Sequence, residues 1–185
     1  MGKIVQIFYT RMRRTTRKRL IAVAFVVLGL SVLGIAGTRL MAAPMASGTV
    51  KATISGFEEV PTLSVPGTGE FSARLSDTAI EYELSYANPE TPVTAAHIHI
   101  GARGTNGGVV AFLCGGGGKP ACPAAPARVT GTINAGNIVA AADQGIAASE
   151  LAEVLRAILA DATYVNVHTT GRPAGEIRGQ VTRGN

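Results

Sequence analysis

Every histidine of the chain lies in one of two short motifs. His97 and His99 stand two residues apart in the segment AHIHIG, and His168 lies in the segment YVNVHTT. Side chains two residues apart on a β-strand share a face, so His97 and His99 point the same way if their segment is a strand. Three imidazoles suit copper or zinc, and an open fourth position would allow chemistry on the ion. The sequence therefore offers a mononuclear copper or zinc site at these three residues.

A structural interpretation of the same residues stays open. A His-x-His pair on the outer face of a sheet is ordinary hydrogen-bonding surface, and Asn166 and His168 can bond to loop backbone. Thr169 is placed to cap a turn. Glu176 and Arg178 share a face of the last predicted strand and can pair across to its neighbour. On this interpretation no cofactor is expected, and the protein is a non-catalytic binding or structural module.

Cys114 and Cys122 are the only two cysteines of the chain, and the segment GGGGKPA separates them. Outside the cytoplasm an even count of cysteines indicates a disulfide. A thiolate metal site is the rival, but the C-x7-C spacing is not that of a zinc ribbon and no second pair exists. We predict a Cys114–Cys122 disulfide, which would stabilise the fold by about 2–3 kcal/mol.

Motifs for catalysis are weak, so we expect no enzyme. The chain lacks the Gly-x-Ser-x-Gly elbow of hydrolases that use a serine nucleophile. The adjacent acids Glu58 and Glu59 are predicted to be solvated in a turn, as acids usually are there. A lyase or hydrolase site built from His168, Glu176 and Arg178 is a third possibility, which a deep pocket at these residues would favour.

The first 46 residues have the pattern of an export signal. A basic stretch, residues 11–19, precedes Leu20–Gly37, which holds 18 residues without a charge. This order is typical of a signal peptide, and the apolar run is also long enough for a transmembrane helix. A cleaved signal and a single-pass anchor therefore both stay open. Either places residues 47–185 outside the cytoplasm, secreted or held at the membrane.

The charge of the chain is divided between these two parts. Residues 1–46 hold 8 of the 17 Lys and Arg residues and none of the 12 Asp and Glu residues, which leaves 9 − 12 = −3 for residues 47–185. The overall charge of +5 thus comes from the leader. A mildly acidic domain is a poor ligand for phosphate backbones, so no nucleic-acid partner is expected. An unknown protein or envelope partner is expected instead, with membrane contact only through an uncleaved leader.

Alternating apolar and polar residues predict that short strands position the two motifs. The strand candidates include Ala95–Ile100, Val109–Leu113, Arg128–Ile133, Thr163–His168 and Glu176–Val181. One amphipathic helix is predicted at about residues 149–160, with Ser149 as its N-cap. Many short antiparallel strands joined by Gly-rich turns favour an all-β Greek-key sandwich or barrel. We expect one such domain, residues 47–185.

The two motifs together resemble the CHRD domain, the family named after chordin. The resemblance rests on the His-x-His strand with its Gly-rich continuation and on the late YVNVHT segment. That segment leads into GEIRGQ, which contains Gly175, Glu176, Arg178 and Gly179. The resemblance covers about residues 48–182. It implies an extracytoplasmic β-rich module, found in exported bacterial proteins as well as in chordin. Chordin's growth-factor antagonism does not transfer, because this chain lacks the cysteine-rich modules that accompany the domain there.

Overall fold

The computed structural model describes residues 47–184. The predicted leader and its apolar segment Leu20–Gly37 lie outside these residues. Within the described range, no helix is long and apolar enough to cross a bilayer. The strands are β1 Gly48–Ser55, β2 Thr68–Leu75, β3 Ile80–Ala87, β4 Val93–Ile100, β5 Val109–Cys114, β6 Ala127–Ile133, β7 Thr163–Thr169, β8 Ile177–Gln180 and β9 Thr182–Arg183. The helix α1 is Leu151–Leu159.

All strand pairs are antiparallel, and eight strands form one sheet in the order β5-β4-β7-β8-β1-β2-β3-β6, with β9 paired to β1. The sheet curls into a nearly closed barrel, so the predicted all-β class with one helix is confirmed. Its two edge strands, β5 and β6, approach each other. Across the same gap, the Tyr82 hydroxyl of β3, the neighbour of β6, donates to the Leu113 carbonyl of β5 at 2.7 Å. The predicted Cys114–Cys122 disulfide is formed.

The core lies inside the curved sheet and follows the alternation of the sequence. Each strand from β1 to β3 buries every second side chain, with Ile54, Leu75, Ile80 and Leu84 all at most 2% exposed. The helix adds Leu151, Val154, Leu155 and Ile158 from one face. Burial of these apolar side chains supplies most of the stabilisation, at about 25 cal/mol per Å² removed from water.

The predicted start of the helix is wrong by one residue. Ser149 has a positive φ of 67° and lies before the N-cap position, which Glu150 occupies without a side-chain capping bond. The Glu150 carboxylate instead accepts a hydrogen bond from the Ala147 amide at 2.7 Å. The local turn before the helix therefore takes the serine out of capping geometry.

Candidate metal centre

The three histidines lie side by side on the paired strands β4 and β7. The antiparallel register sets Asn166 opposite His97, and Tyr164 opposite His99. These side chains share the sheet face that points away from the core. His97 and His168 are partly buried and His99 is 8% exposed. The sequence analysis placed the pair on the outer face of a sheet, and the structure shows that loops cover this face.

The two motifs, which the sequence alone could not bring together, meet in space. One ligand nitrogen from each histidine lies within 4.8 Å of the others. His97 Nδ1 and His168 Nε2 are 3.1 Å apart. The ring centroids of His97 and His99 are 5.5 Å apart, and those of His99 and His168 are 6.0 Å apart. All three predicted ligand residues therefore form one cluster.

Backbone carbonyls assign the proton positions in this cluster. His99 Nδ1 lies 3.0 Å from the Gly107 carbonyl oxygen, and His168 Nδ1 lies 3.0 Å from the Pro173 carbonyl oxygen. A carbonyl only accepts, so each Nδ1 carries the proton and the lone pair of each ring lies on Nε2, where that of His99 stays free. His97 Nδ1 then donates to His168 Nε2. This leaves the Nε2 lone pair of His97 free as well.

The environment keeps these imidazoles neutral. Burial, together with the neighbouring His168 and His99, lowers the pKa of His97 to about 3. Burial also lowers the pKa of His99 to about 4, helped by His168 and Arg178 and opposed by the bond to Gly107. The pKa of His168 is lowered by burial too. At neutral pH the cluster therefore presents lone pairs and no charge.

Two of these lone pairs have no partner. His97 Nε2 and His99 Nε2 are buried and accept no hydrogen bond. Buried polar atoms in proteins are nearly always paired, because an unpaired one loses its hydration without compensation. Unpaired acceptors on neighbouring rings of a buried cluster favour a cation as the missing partner. The carbonyl that fixes each Nδ1–H is also the usual outer partner of a metal-binding histidine.

Arg178 holds the loop that follows β4 over the cluster. Its guanidinium donates to the carbonyl oxygens of Thr105 at 2.6 Å and Ala102 at 3.4 Å, and to Asn106 Oδ1 at 3.2 Å. It also lies 3.4 Å above the Tyr164 ring, a cation–π contact. Arg178 is 1% exposed. Its role is thus to fasten the loop, residues 101–107, and it reaches across to Tyr164 of the neighbouring strand β7.

The same loop supplies the carbonyl that orients His99. The Gly107 amide donates to the Tyr164 hydroxyl at 3.1 Å, and the Tyr164 ring stacks on His99 with 6° between the planes. A Cβ at Gly107 would lie 1.6 Å from the Ile100 carbonyl oxygen, so only glycine fits there. The Gly-rich continuation of the first motif is therefore what lets the loop close on His99.

The remaining residues of the second motif hold the turn beyond His168. The buried Glu176 carboxylate accepts from Thr169 Oγ1 and from the Glu90 amide, both at 2.7 Å. Thr169 Oγ1 in turn accepts from the Arg172 amide at 3.2 Å, as predicted for a turn cap. Glu176 thus pairs across to β7. Glu176 is 0% exposed and both of its carboxylate oxygens accept hydrogen bonds. It therefore forms no open acid–base site with Arg178 and His168.

The glycine run between the cysteines also reaches the cluster. Phe112 of β5 packs its ring edge-on to His97, with the centroids 4.5 Å apart. A Cβ at Gly116 or Gly117 would lie 2.6 or 2.5 Å from that phenyl ring. The run GGGG therefore allows the disulfide loop to close on Phe112, which forms one wall beside His97.

Sequence reasoning missed two buried polar residues near the centre. Glu59, predicted to be solvated, is 6% exposed, and burial raises its pKa to about 7. Gln180 donates through Nε2 to the carbonyl oxygens of Gly101 and Asp161, at 3.0 and 2.7 Å. The alternation with Arg178 on β8 could have placed Gln180 on this face. Nothing in the pair Glu58-Glu59 signals that one of the two acids is buried.

Comparison with known proteins gives one family. The model of the CHRD domain matches residues 50–181. That range includes all three histidines, the disulfide and the buried motif residues of β7 and β8. The curated proteins and the solved structures contain no match to the chain.

Proposed function

This chain belongs to the CHRD domain family, and we propose that it is a metal-binding module that holds one copper or zinc ion on His97, His99 and His168. The observation that carries the proposal is the convergence of three neutral imidazoles whose free lone pairs include two buried nitrogens without a partner. The proposal assigns the protein metal handling outside the cytoplasm and no catalytic step.

The spacing of the ligand atoms supports this proposal. Two nitrogens on one tetrahedral zinc or copper ion, with bonds of about 2.0–2.1 Å, are separated by about 3.3 Å. His97 Nδ1 and His168 Nε2 are 3.1 Å apart as a hydrogen-bonded pair, and both can bind one ion once the His97 proton moves from Nδ1 to Nε2. The widest separation in the cluster, 4.8 Å, exceeds that value, so uptake of an ion would draw the rings together. A fourth position would be left for water or another ligand.

The proposed compartment rests on two features. Leu20–Gly37 has the length and composition of an export signal or anchor. The Cys114–Cys122 disulfide suits the oxidising conditions outside the cytoplasm. Since both cysteines are bonded to each other, neither supplies a thiolate, and the imidazoles are the groups of the cluster that suit zinc or copper.

Metal analysis of the full chain tests the proposal. The protein, purified in a mild detergent and stripped with a chelator, is incubated with zinc or copper, desalted and measured by elemental analysis. We expect about one equivalent in the parent and in Glu81→Gln, which alters an exposed carboxylate of β3, and loss of the ion in His99→Ala and His168→Ala. Electron paramagnetic resonance of the copper form should show nitrogen ligands.

The opposite result favours a module in which the histidines only make hydrogen bonds. A parent that retains no metal after desalting would refute the proposal, and so would equal retention by the parent and both histidine variants. Circular dichroism of the metal-free variants checks that they are folded. With no retained metal, the domain is better explained as a surface for a protein or envelope partner.

A further inference from the structure

Glu59 is a buried carboxyl group that the metal centre as described does not use. It follows the 3₁₀ turn Gly56–Glu58, which links β1 to the next loop. The residue is 6% exposed, and its Oε1 atom is buried without a hydrogen-bond partner. A carboxylate in such a place would leave its charge poorly solvated. The carboxyl group therefore calls for a proton or a nearby positive charge.

Asn166 contacts this carboxyl group and lies on the strand face that carries the histidines. The Cβ position of Gly175 would lie 2.7 Å from Glu59 Oε1 and 2.6 Å from both polar atoms of the Asn166 side chain, so the two side chains meet where Gly175 has none. Asn166 is directly opposite His97 in the β4–β7 register and shares a face of β7 with His168. Glu59 thus lies one side chain away from the cluster.

The charges around Glu59 do not hold its carboxyl group in a single protonation state. Burial raises its pKa to about 7, against the lowering effects of the Val60 amide, Arg178 and Asn166. Arg178 is engaged by the loop carbonyls and by Tyr164, while Arg103 forms an exposed ion pair with Glu58. No carboxylate is among the three proposed ligands. A divalent ion would therefore enter the site without an anionic ligand.

Glu59 lies beside a pocket that opens to solvent. The residue lines this pocket of about 390 Å³ together with Phe57, Glu58, Pro61 and Arg103. Phe57 at the rim is 69% exposed. The lining of this pocket includes no histidine, so the pocket offers a proton from Glu59 a route to solvent apart from the cluster.

We propose that Glu59 is the counter-charge of the three-histidine centre: it holds a proton while the centre is empty and releases it to solvent when a divalent cation binds. The inference rests on the proposed function. One proton leaves as the carboxylic acid becomes a carboxylate, and no bond other than O–H breaks. The arriving cation stabilises the carboxylate by electrostatic attraction across Asn166, which favours release.

Calorimetric titration of the full chain with zinc, repeated at pH 7 in buffers of different ionisation enthalpy, counts the released protons. Because Glu59 titrates at about 7, we expect roughly half a proton per zinc from this group at pH 7 and close to none at pH 8.5. Glu59→Gln should abolish that release and weaken zinc binding at pH 8.5 about tenfold. Glu58→Gln, which changes the exposed neighbour, should behave as the parent.

The outcomes separate this inference from the proposed function. If zinc does not bind to the parent, the proposed function fails. If zinc binds and Glu59→Gln releases as many protons as the parent, the proton comes from metal-bound water or a ligand, and the inference about Glu59 is overturned. Infrared difference spectra of the unmodified protein give a test without a variant: the C=O band of a protonated carboxyl group must disappear on zinc addition.

Discussion

Burial acts in opposite directions on the histidines and on Glu59. It lowers the pKa values of His97 and His99 to about 3 and about 4, lowers that of His168 as well, and raises that of Glu59 to about 7. At pH 5 the unfolded chain binds protons on His97 and His99 that the folded, metal-free protein leaves neutral, and the lowered pKa of His168 acts in the same direction. The folded protein in turn keeps a proton on Glu59 that the unfolded chain has mostly lost. The histidines outnumber the single glutamic acid, so the unfolded state binds more protons overall.

We therefore expect the metal-free protein to lose stability as the pH falls below about 6.5 toward 4, with the histidine contribution fully present above 6.5. Each net proton changes the free energy of unfolding by about 1.4 kcal/mol per pH unit. Urea unfolding with a chelator at pH 7.5, 6 and 5 measures it. Glu59→Gln should make the loss between pH 7 and 5 steeper, because it removes the opposing proton. A free energy of unfolding that rises from pH 7.5 to 5 would contradict this expectation.

At the scale of elements, the centre depends on a loop fastened from a distant strand. Arg178 of β8 holds residues 101–107, and Gly107 of that loop orients His99. Four strands of the sheet order, β5, β4, β7 and β8, contribute walls or ligands. The motif GEIRGQ therefore has a role without providing a ligand: it positions the loop and the turn that fix the two histidine tautomers.

Arg178→Lys tests this dependence. Lysine keeps the positive charge, but it lacks the planar guanidinium that stacks on Tyr164 while donating to both Thr105 and Asn106. We expect zinc affinity, measured by competition with a chromogenic chelator, to fall about 10–100-fold, as for other outer partners of metal ligands. Arg103→Gln is the control, since this arginine lies in the same loop and is exposed in its ion pair with Glu58. Equal affinities of the two variants would show that the loop does not position His99.

Sequence periodicity predicted the strands well and the covered face poorly. Alternation in β1 to β3 identified the core side chains, because one face of those strands is in solvent. The same alternation in β7 and β8 gives polar residues on a face that the segment around Glu59 and residues 101–107 bury. Those covering segments lie far away along the chain, so no local pattern reveals them. For this reason the histidines of the proposed metal site could be named, whereas Glu59 could not.

At the scale of the whole molecule, the disulfide loop lies across the gap between the edge strands β5 and β6 of the barrel. Cys114 ends the edge strand β5. Within the loop, Lys119 Nζ donates to the Thr132 carbonyl oxygen of β6 at 2.6 Å. The loop therefore links the two edges that hydrogen bonds between strands leave open. Unpaired edges are prone to association with other chains, and a loop across them limits it.

Reduction of the Cys114–Cys122 disulfide should lower the free energy of unfolding by about 2–3 kcal/mol, because the unfolded chain regains the entropy of the closed loop. Urea unfolding with and without a reductant measures this change. The Cys114→Ser/Cys122→Ser variant should match the reduced parent and be insensitive to the reductant. Zinc stoichiometry should stay at one in both, since the proposed ligands lie on β4 and β7, outside the loop. Loss of zinc from a folded, reduced protein would instead show that Phe112 and the glycine run are needed to hold His97 in place.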